Sequence, residues 1–310
     1  MDNYSDKLVL RVNELFHDFE GDKYEYSHDE IFVLEPERWK KLIDICSPLF
    51  IQKRRLTFLD VGSGTGFVPQ TLTSFLRRED TFICTDISER ILSECRKNLE
   101  AKGTKTDFRY KKFDGVNLPA EDNSIDIVTI NSTLHHIPRT EKFLAEANRI
   151  LKNSGFLIIG HEPNKRFYSN QVIWTIYRIL YLFYHPKSIA EILTRRGLWP
   201  NREGAVPSAT DPVTERINQI LSQEALITKP LTKADINKLV DFWSLQGFDI
   251  HEIGLGLPNF KLRYLETYNH LYWLFIEHHK NPVISGLNYL LGKFYPHDGK
   301  TMSVVYQKVT

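Results

Sequence analysis

The chain has 310 residues, 42% hydrophobic and 25% charged, the composition of a folded globular protein rather than a disordered one. With 40 basic and 39 acidic residues the formal charge is +1, which speaks against a protein that lives on a nucleic-acid backbone, and no nucleic-acid partner is expected. The sparse cysteines Cys46, Cys84 and Cys95 form neither a CxxC pair nor a metal-ligand spacing, and they suit a reducing cytosol better than a disulfide framework.

Residues 1–7 are polar and carry no signal-peptide stretch, and the most apolar run, 172–184, is too short to span a bilayer and contains Arg178. A cytoplasmic protein without stable membrane insertion is expected. In residues 1–56, Leu8, Val12, Leu15 and Phe19, then Trp39, Leu42, Ile43 and Cys46, recur at helical spacing. From Thr57 the pattern predicts strands at 57–61, 81–85, 107–112, 125–131 and 155–161, with helices at 66–78, 88–102 and 139–151. Strand and helix in this alternation imply a parallel sheet with right-handed crossovers. Beyond it, 166–197 reads as aromatic helix, 199–213 as a turn-rich loop, and 232–246 as a helix ended by Gly247. A strand at 248–254, an aromatic helical insertion over 260–292 and a last strand at 302–306 complete the reading.

The run Phe58-Leu59-Asp60-Val61-Gly62-Ser63-Gly64-Thr65-Gly66 takes a buried strand into a glycine-rich turn that opens a helix. Such a turn lets a ligand approach the backbone closely, or simply makes a tight corner. No Gly-Lys-Ser/Thr follows, so a nucleotidase phosphate loop is disfavoured. Asp60 places a carboxylate beside the turn, where it would repel a pyrophosphate and attract an ammonium or sulfonium. The second strand ends at Asp86, able to accept both hydroxyls of a ribose. The third ends at Asp114-Gly115, where a carboxylate can accept an adenine amine. The fourth ends at Asn131-Ser132-Thr133-Leu134-His135-His136.

With these residues in this order, 56–162 resembles the class I S-adenosylmethionine-dependent methyltransferases, in particular the type 11 group. Ser124-Ile125-Asp126-Ile127-Val128 and the segment 146–155 add to the likeness, although Asn153-Ser154-Gly155 stands where Pro-Gly-Gly is usual. The resemblance implies an α/β, Rossmann-like three-layer sandwich with a seven-stranded, mostly parallel sheet and a helical cap formed by insertions. With the pattern of elements read above, the chain divides into N-terminal helices (1–56), a cofactor-binding core (57–162), a cap insertion (163–246) and a C-terminal part (247–310) with a second insertion at 257–300. The resemblance implies S-adenosyl-L-methionine as cofactor, S-adenosyl-L-homocysteine as product, and no metal. Asp60 and the backbone of Gly62 and Gly64 would hold the methionine portion, with Ser63 and Gly66 of the same turn also counted as cofactor-binding. Asp86 would take the ribose and Ile87 the adenine face. Asp114, with Gly115 beside it, would take the adenine amine, and the Asn131 carbonyl the amino group.

Methyl transfer from a sulfonium needs a base only when the acceptor arrives protonated. His135 and His136 at the end of the fourth strand are candidates for that base, or pack and cap the next helix. Glu162, beside His161, either orients an acceptor or bonds a backbone amide. His278 and His279 are neighbours about 100° apart on a helix and make poor joint metal ligands. The aromatic insertions, with Trp174, Tyr177, Tyr181, Tyr264, Tyr268 and Tyr272, line a pocket for an apolar or ring-bearing small molecule or pack into a cap. The rival readings are a non-catalytic cofactor-binding subunit or scaffold, a nicotinamide-dependent oxidoreductase, and a methyltransferase whose aromatic helices lie at a membrane interface.

Overall fold

The computed structural model describes residues 4–20, 33–113, 117–184, 211–241 and 246–309. Helices α1 (Asp6–Glu20), α2 (Pro36–Asp44) and α3 (Ser47–Ile51) precede the sheet. The central segment runs β1 (Thr57–Val61), α4 (Phe67–Leu72), β2 (Thr81–Asp86), α5 (Glu89–Ala101), β3 (Asp107–Lys112), β4 (Ile125–Asn131), α6 (Thr140–Ile150) and β5 (Leu151–Pro163). Next come α7 (Lys165–Ser169), α8 (Gln171–Tyr184), α9 (Pro212–Gln223), α10 (Lys233–Val240) and α11 (Ile250–Leu255). The described chain closes with β6 (Phe260–Tyr268), α12 (Tyr272–His278), α13 (Pro282–Phe294) and β7 (Thr301–Lys308).

One seven-stranded sheet has the order β3-β2-β1-β4-β5-β7-β6. Strands β1 to β5 pair in parallel, and β7 runs antiparallel between β5 and β6. Side chains alternate between two covered faces, as period-two strands dictate. Leu59, Val61, Val128, Ile130, Leu157 and Ile159 meet Phe143, Leu144 and Ala147 of α6 on one face. On the other, Phe58, Phe82, Ile127, Phe156 and Ile158 meet Trp39 and Leu42 of α2, Leu72 of α4 and Leu99 of α5. Each fully buried phenyl ring among these contributes roughly 1.5–3 kcal/mol of transfer free energy. The chain reverses its direction of travel across the sheet between β1 and β4. A crevice therefore opens beyond the carboxyl ends of these two strands.

Two readings of the C-terminal part are corrected. Residues 248–254 do not form a strand: the Asp249 side chain accepts the His251 N–H and caps α11, which buries Ile253. Phe248 keeps only an isolated bridge to Asn164. The sixth strand is instead 260–268, inside the segment read as helical. Its alternation of Phe260, Leu262, Tyr264, Glu266 and Tyr268 pairs with β7, and the helical stretch begins only at Tyr272. Gly247 lies at φ +66, and its missing Cβ leaves room for the backbone of Asn164 and Lys165 to pass.

The remaining helices form two layers. Val9, Val12 and Leu15 of α1 pack with Ile217 and Leu221 of α9 and Ile236 and Leu239 of α10. A Thr232–Asp235 capping box starts α10. Phe167 of α7, Ile173 and Tyr177 of α8, Leu274 of α12 and Ile284 and Leu291 of α13 form the second layer, with Trp174, Tyr181 and Tyr272 packed against it. Among the described residues no helix is long and apolar enough to cross a membrane. The loop at 199–213 lies outside the described residues except for 211–213, where Asp211 and Pro212 start α9.

Candidate active site

The turn after β1 is shaped by three glycines in the left-handed region: Gly62 at φ +67, Gly64 at φ +53 and Gly66 at φ +100. A Cβ on Gly62 would overlap the Thr133 side chain, so only glycine lets the turn after β1 pass the turn after β4. Ser63 ties the turn to β2: its N–H donates to Thr85 O (2.8 Å) and its hydroxyl accepts the Thr85 N–H (3.2 Å). The Gly66 N–H closes the turn on Ser63 O (2.8 Å), and α4 starts immediately after it.

Two buried carboxylates flank this turn. Asp60 Oδ1 accepts the Thr129 hydroxyl (2.6 Å), while Oδ2 is buried and has no hydrogen-bond partner among the described residues. Burial pushes its carboxyl up to about 7, against the pull of Thr129 and Ser63, and the nearby Asp86 charge adds to the rise. Asp86 accepts the Gly64 N–H (3.0 Å) on one oxygen and the Ser88 N–H (3.0 Å) on the other. Burial raises it to about 6, despite these backbone donors.

A cavity opens over the turn, lined by Gly62, Gly64, Asp86, Ile87, Thr133 and His136 from the strand ends but not by Asp60. Its other wall is α1, through Leu10, Asn13 and His17. That helix is fastened to the core by Asp18, which meets the Ser88 hydroxyl and the Arg90 guanidinium, and by the Glu14–Lys112 and Asp6–Arg139 ion pairs. Asn13 is buried, with its Nδ2 donating to Val9 O (2.9 Å) and Leu239 O (3.1 Å). These two carbonyls fix the orientation of the amide and leave Oδ1 buried without a partner among the described residues.

Beyond β4, Glu162 gathers the histidine turn. One carboxylate oxygen accepts the N–H groups of Thr133 (2.8 Å) and Leu134 (2.7 Å). The other accepts the His135 N–H (3.2 Å) and meets His135 Nδ1 (2.9 Å). Its carboxylate is thus spent on the turn and does not line the cavity. His135 Nδ1 carries the proton in this arrangement, leaving Nε2 as the basic nitrogen, 3.9 Å from Asp241 Oδ1. His136 holds the Val240 carbonyl through Nδ1 (2.6 Å) and lines the cavity, its ring 5.3 Å from that of His17. Of the two histidines, only His136 reaches the cavity wall.

Asn131 ends β4 with its side-chain Oδ1 accepting the Trp39 indole N–H (2.8 Å) and its carbonyl accepting the Thr133 hydroxyl (2.9 Å). Across β5, His161 sits at φ +53 with Nδ1 3.3 Å from Glu35. The Glu35 carboxylate also accepts Tyr268 Oη (2.9 Å) and Arg38 Nε (3.1 Å). Burial alone would raise Glu35, but His161 and Arg38 hold it below the usual carboxylate range.

Asp114 and Gly115 lie outside the described residues, although Phe113 before them lines the cavity. The rings of Trp174, Tyr177, Tyr181 and Tyr272 pack on one another and on Phe167, and none lines this cavity. Asn13, His17 and Trp39 are not legible as site residues in the sequence, because they lie on helices whose apolar spacing indicates only packing. Among the described residues, His135, His136 and Asp241 bring potential metal-ligand atoms within 4.8 Å of one another. Two neighbouring imidazoles and a half-exposed carboxylate fall short of the closed four-ligand shell of a structural site.

The strand order with β1 to β5 in parallel, the glycine turn after β1 and the acidic residue closing β2 agree with the resemblance to the class I, S-adenosylmethionine-dependent methyltransferases. Residues 59–159 match the model of the methyltransferase domain family. A ubiquinone/menaquinone biosynthesis C-methyltransferase of Idiomarina loihiensis is 28% identical over 137 residues, covering 44% of this chain and 53% of that protein. Its counterpart from Wigglesworthia glossinidia brevipalpis is 24% identical over 202 residues, 65% of this chain and 77% of that one. The chain thus spans about half the length of the first of these relatives. A solved S-adenosylmethionine-dependent methyltransferase from Aquifex aeolicus aligns over 89% of this chain and 98% of its own, at 16% identity and a TM-score of 0.42.

Proposed function

We propose that the protein transfers a methyl group from S-adenosylmethionine to oxygen or carbon of a small apolar or ring-bearing acceptor in the cytoplasm. The observation that carries this reading is the buried carboxylate pair on the glycine turn, with Asp60 Oδ2 left without a partner. A cationic ligand satisfies such an oxygen, whereas the pyrophosphate of a nicotinamide cofactor would be repelled by it. The residues therefore fit the cofactor. Asp60 and the backbone of Gly62 and Gly64 hold its methionine end, Asp86 its ribose and Ile87 its adenine. Ser63 and Gly66 set the shape of the turn, and the Asn131 carbonyl receives the amino group. When bound, the cofactor supplies an electrophilic methyl group.

Positioning then does most of the work. His136 is the residue suited to take a proton from an acceptor, because it lines the cavity and its Nδ1 proton is held by Val240. His135, locked by Glu162, keeps the turn in place. The matched relatives are named as C-methyltransferases of quinone biosynthesis, which agrees with a ring-bearing acceptor. Three buried thiols agree with a reducing compartment.

Calorimetric titration with S-adenosylhomocysteine tests the reading. Binding is expected, with a melting temperature that rises with ligand concentration. Asp86→Ala is expected to weaken binding by about tenfold to a hundredfold, the loss of one or two charge-assisted hydrogen bonds. Equal affinity in this variant would mean that the ribose is held elsewhere. Asn13→Ala tests the contribution of α1. Removing its free acceptor should weaken product binding about fivefold, and an unchanged affinity would reduce α1 to a cover.

A further inference from the structure

We propose that the layer formed by α8, α12 and α13 is a docking surface for an anionic lipid bilayer. Among the described residues, seven of the twelve exposed large hydrophobic side chains lie on α8 and α13. Phe183 is 79% exposed and Phe294 77%, with Ile179, Val283, Tyr289 and Leu290 beside them on the same two helices. Both helices already bury an inner face in one shared cluster, through Ile173 and Tyr177 on α8 and Ile284 and Leu291 on α13. Their outer faces are therefore a second apolar surface beyond what the fold consumes. Concentration of this kind on two elements is the mark of an interaction site rather than of scattered surface residues.

Charge selects the occupant. Helices α8 and α13 with the turn before α13 contain Arg178, Lys280 and Lys293 and no Asp or Glu, and α12 between them adds the single acid Glu277, in a chain with 39 acidic residues. The Lys293 ammonium lies 5.0 Å over the Tyr289 ring, so cation and aromatic are presented together. Phenyl and aliphatic groups rimmed by cations match the boundary between acyl chains and anionic headgroups, where aromatic residues settle and basic residues meet phosphate. Among the described residues no helix is long and apolar enough to cross a membrane, and the association proposed is a peripheral one. Helix α7 leaves the carboxyl end of β5 and leads into α8, and the glycine turn lies at the same end of this parallel sheet. Docking thus turns the cofactor end of the sheet toward the bilayer. That an apolar acceptor is drawn from the lipid rests on the methyltransferase reading, but the docking itself does not.

The test is sedimentation of the full chain with vesicles of phosphatidylcholine alone, and with vesicles of phosphatidylcholine and phosphatidylglycerol in equal parts. The protein is expected to pellet with the anionic vesicles and to be released by salt. Changing Phe183 and Phe294 together to Ser should lower the partition coefficient about tenfold or more. Changing Arg178 and Lys293 to Gln should lower it about tenfold on anionic vesicles only. Melting temperature and S-adenosylhomocysteine affinity should stay at the parent values in both variants, since the substituted side chains are remote from the cavity. Failure to pellet with either vesicle, or pelleting that the serine variant leaves unchanged, overturns the proposal. A dimer detected by light scattering, lost in the serine variant and without vesicle binding, would assign the face to a second copy instead. Absence of S-adenosylhomocysteine binding in the parent would overturn the functional reading and leave the vesicle result intact.

Discussion

Replacing Glu162 with Ala is expected to destabilise the fold by roughly 3–5 kcal/mol, as removal of a buried hydrogen-bonded charge does. The carboxylate accepts the N–H groups of Thr133, Leu134 and His135 and fixes His135 Nδ1. Alanine leaves these donors buried with nothing to receive them, and the turn that carries Thr133 and His136 loses its anchor. Since Thr133 packs against Gly62, cofactor-product binding should weaken in the same variant. Glu162→Gln separates the two effects. Its single carbonyl oxygen can serve two of the backbone donors, while its amide group then faces a donor at His135. This variant should fold, with a smaller stability loss, and its His135 should show the other tautomer in nitrogen chemical shifts. Denaturant unfolding and calorimetry check both variants. Stability and affinity at parent values in Glu162→Ala would show that the turn holds itself.

How far the fold could be read depended on whether burial left a single period in the sequence. Strands 57–61, 107–112 and 125–131 stood out because both faces are covered or the flanking turns are sharp, and the structure has them at those bounds. The segment 248–254 alternates apolar and polar residues only as far as His251, and its Ile250 and Ile253 equally fit a helical spacing, a length at which helix and strand patterns coincide. Asp249 decided it, by capping a helix. In 260–268 the alternation was present but was absorbed into the apolar stretch that continues to Leu291. Only the pairing with β7, a contact remote in sequence, separates strand from helix there.

Within the site, the glycine turn and its acids were legible because each needs a particular residue type: glycine for positive φ, and carboxylate for charge. Contributions from outside the strand ends were not. Asn13 and Trp39 belong to helices whose spacing marks an inner face, and nothing local tells a packing face from a ligand-facing one. Glu162 was visible as a polar residue at the end of β5. That it would receive three amides depends on the path of residues 133–135, which sequence spacing does not specify. His136 rather than His135 reaches the cavity for the same reason.

Cofactor affinity should depend steeply on pH, with Asp60 as the main cause. Its carboxyl is raised from an ordinary 3.8 to about 7 because burial disfavours the charged form. A carboxyl raised in this way stabilises the fold while it is protonated. That contribution is complete below about pH 4 and is lost as the pH climbs through about 7. A ligand carrying an ammonium reverses the preference, since the charged carboxylate is then paired. Binding S-adenosylhomocysteine below pH 7 should accordingly release a proton, and affinity should rise by up to about tenfold per pH unit between pH 5 and 7 before levelling. Asp86, raised to about 6, adds a smaller dependence centred lower. In Asp60→Asn the part centred near 7 should vanish and the part from Asp86 remain, while stability at pH 8 should increase because no charge is left to bury. Calorimetry in two buffers of different ionisation enthalpy counts the released proton directly. A flat profile in the parent, or an unaltered one in Asp60→Asn, would show that Asp60 is a buried strand-end acid that does not meet the cofactor.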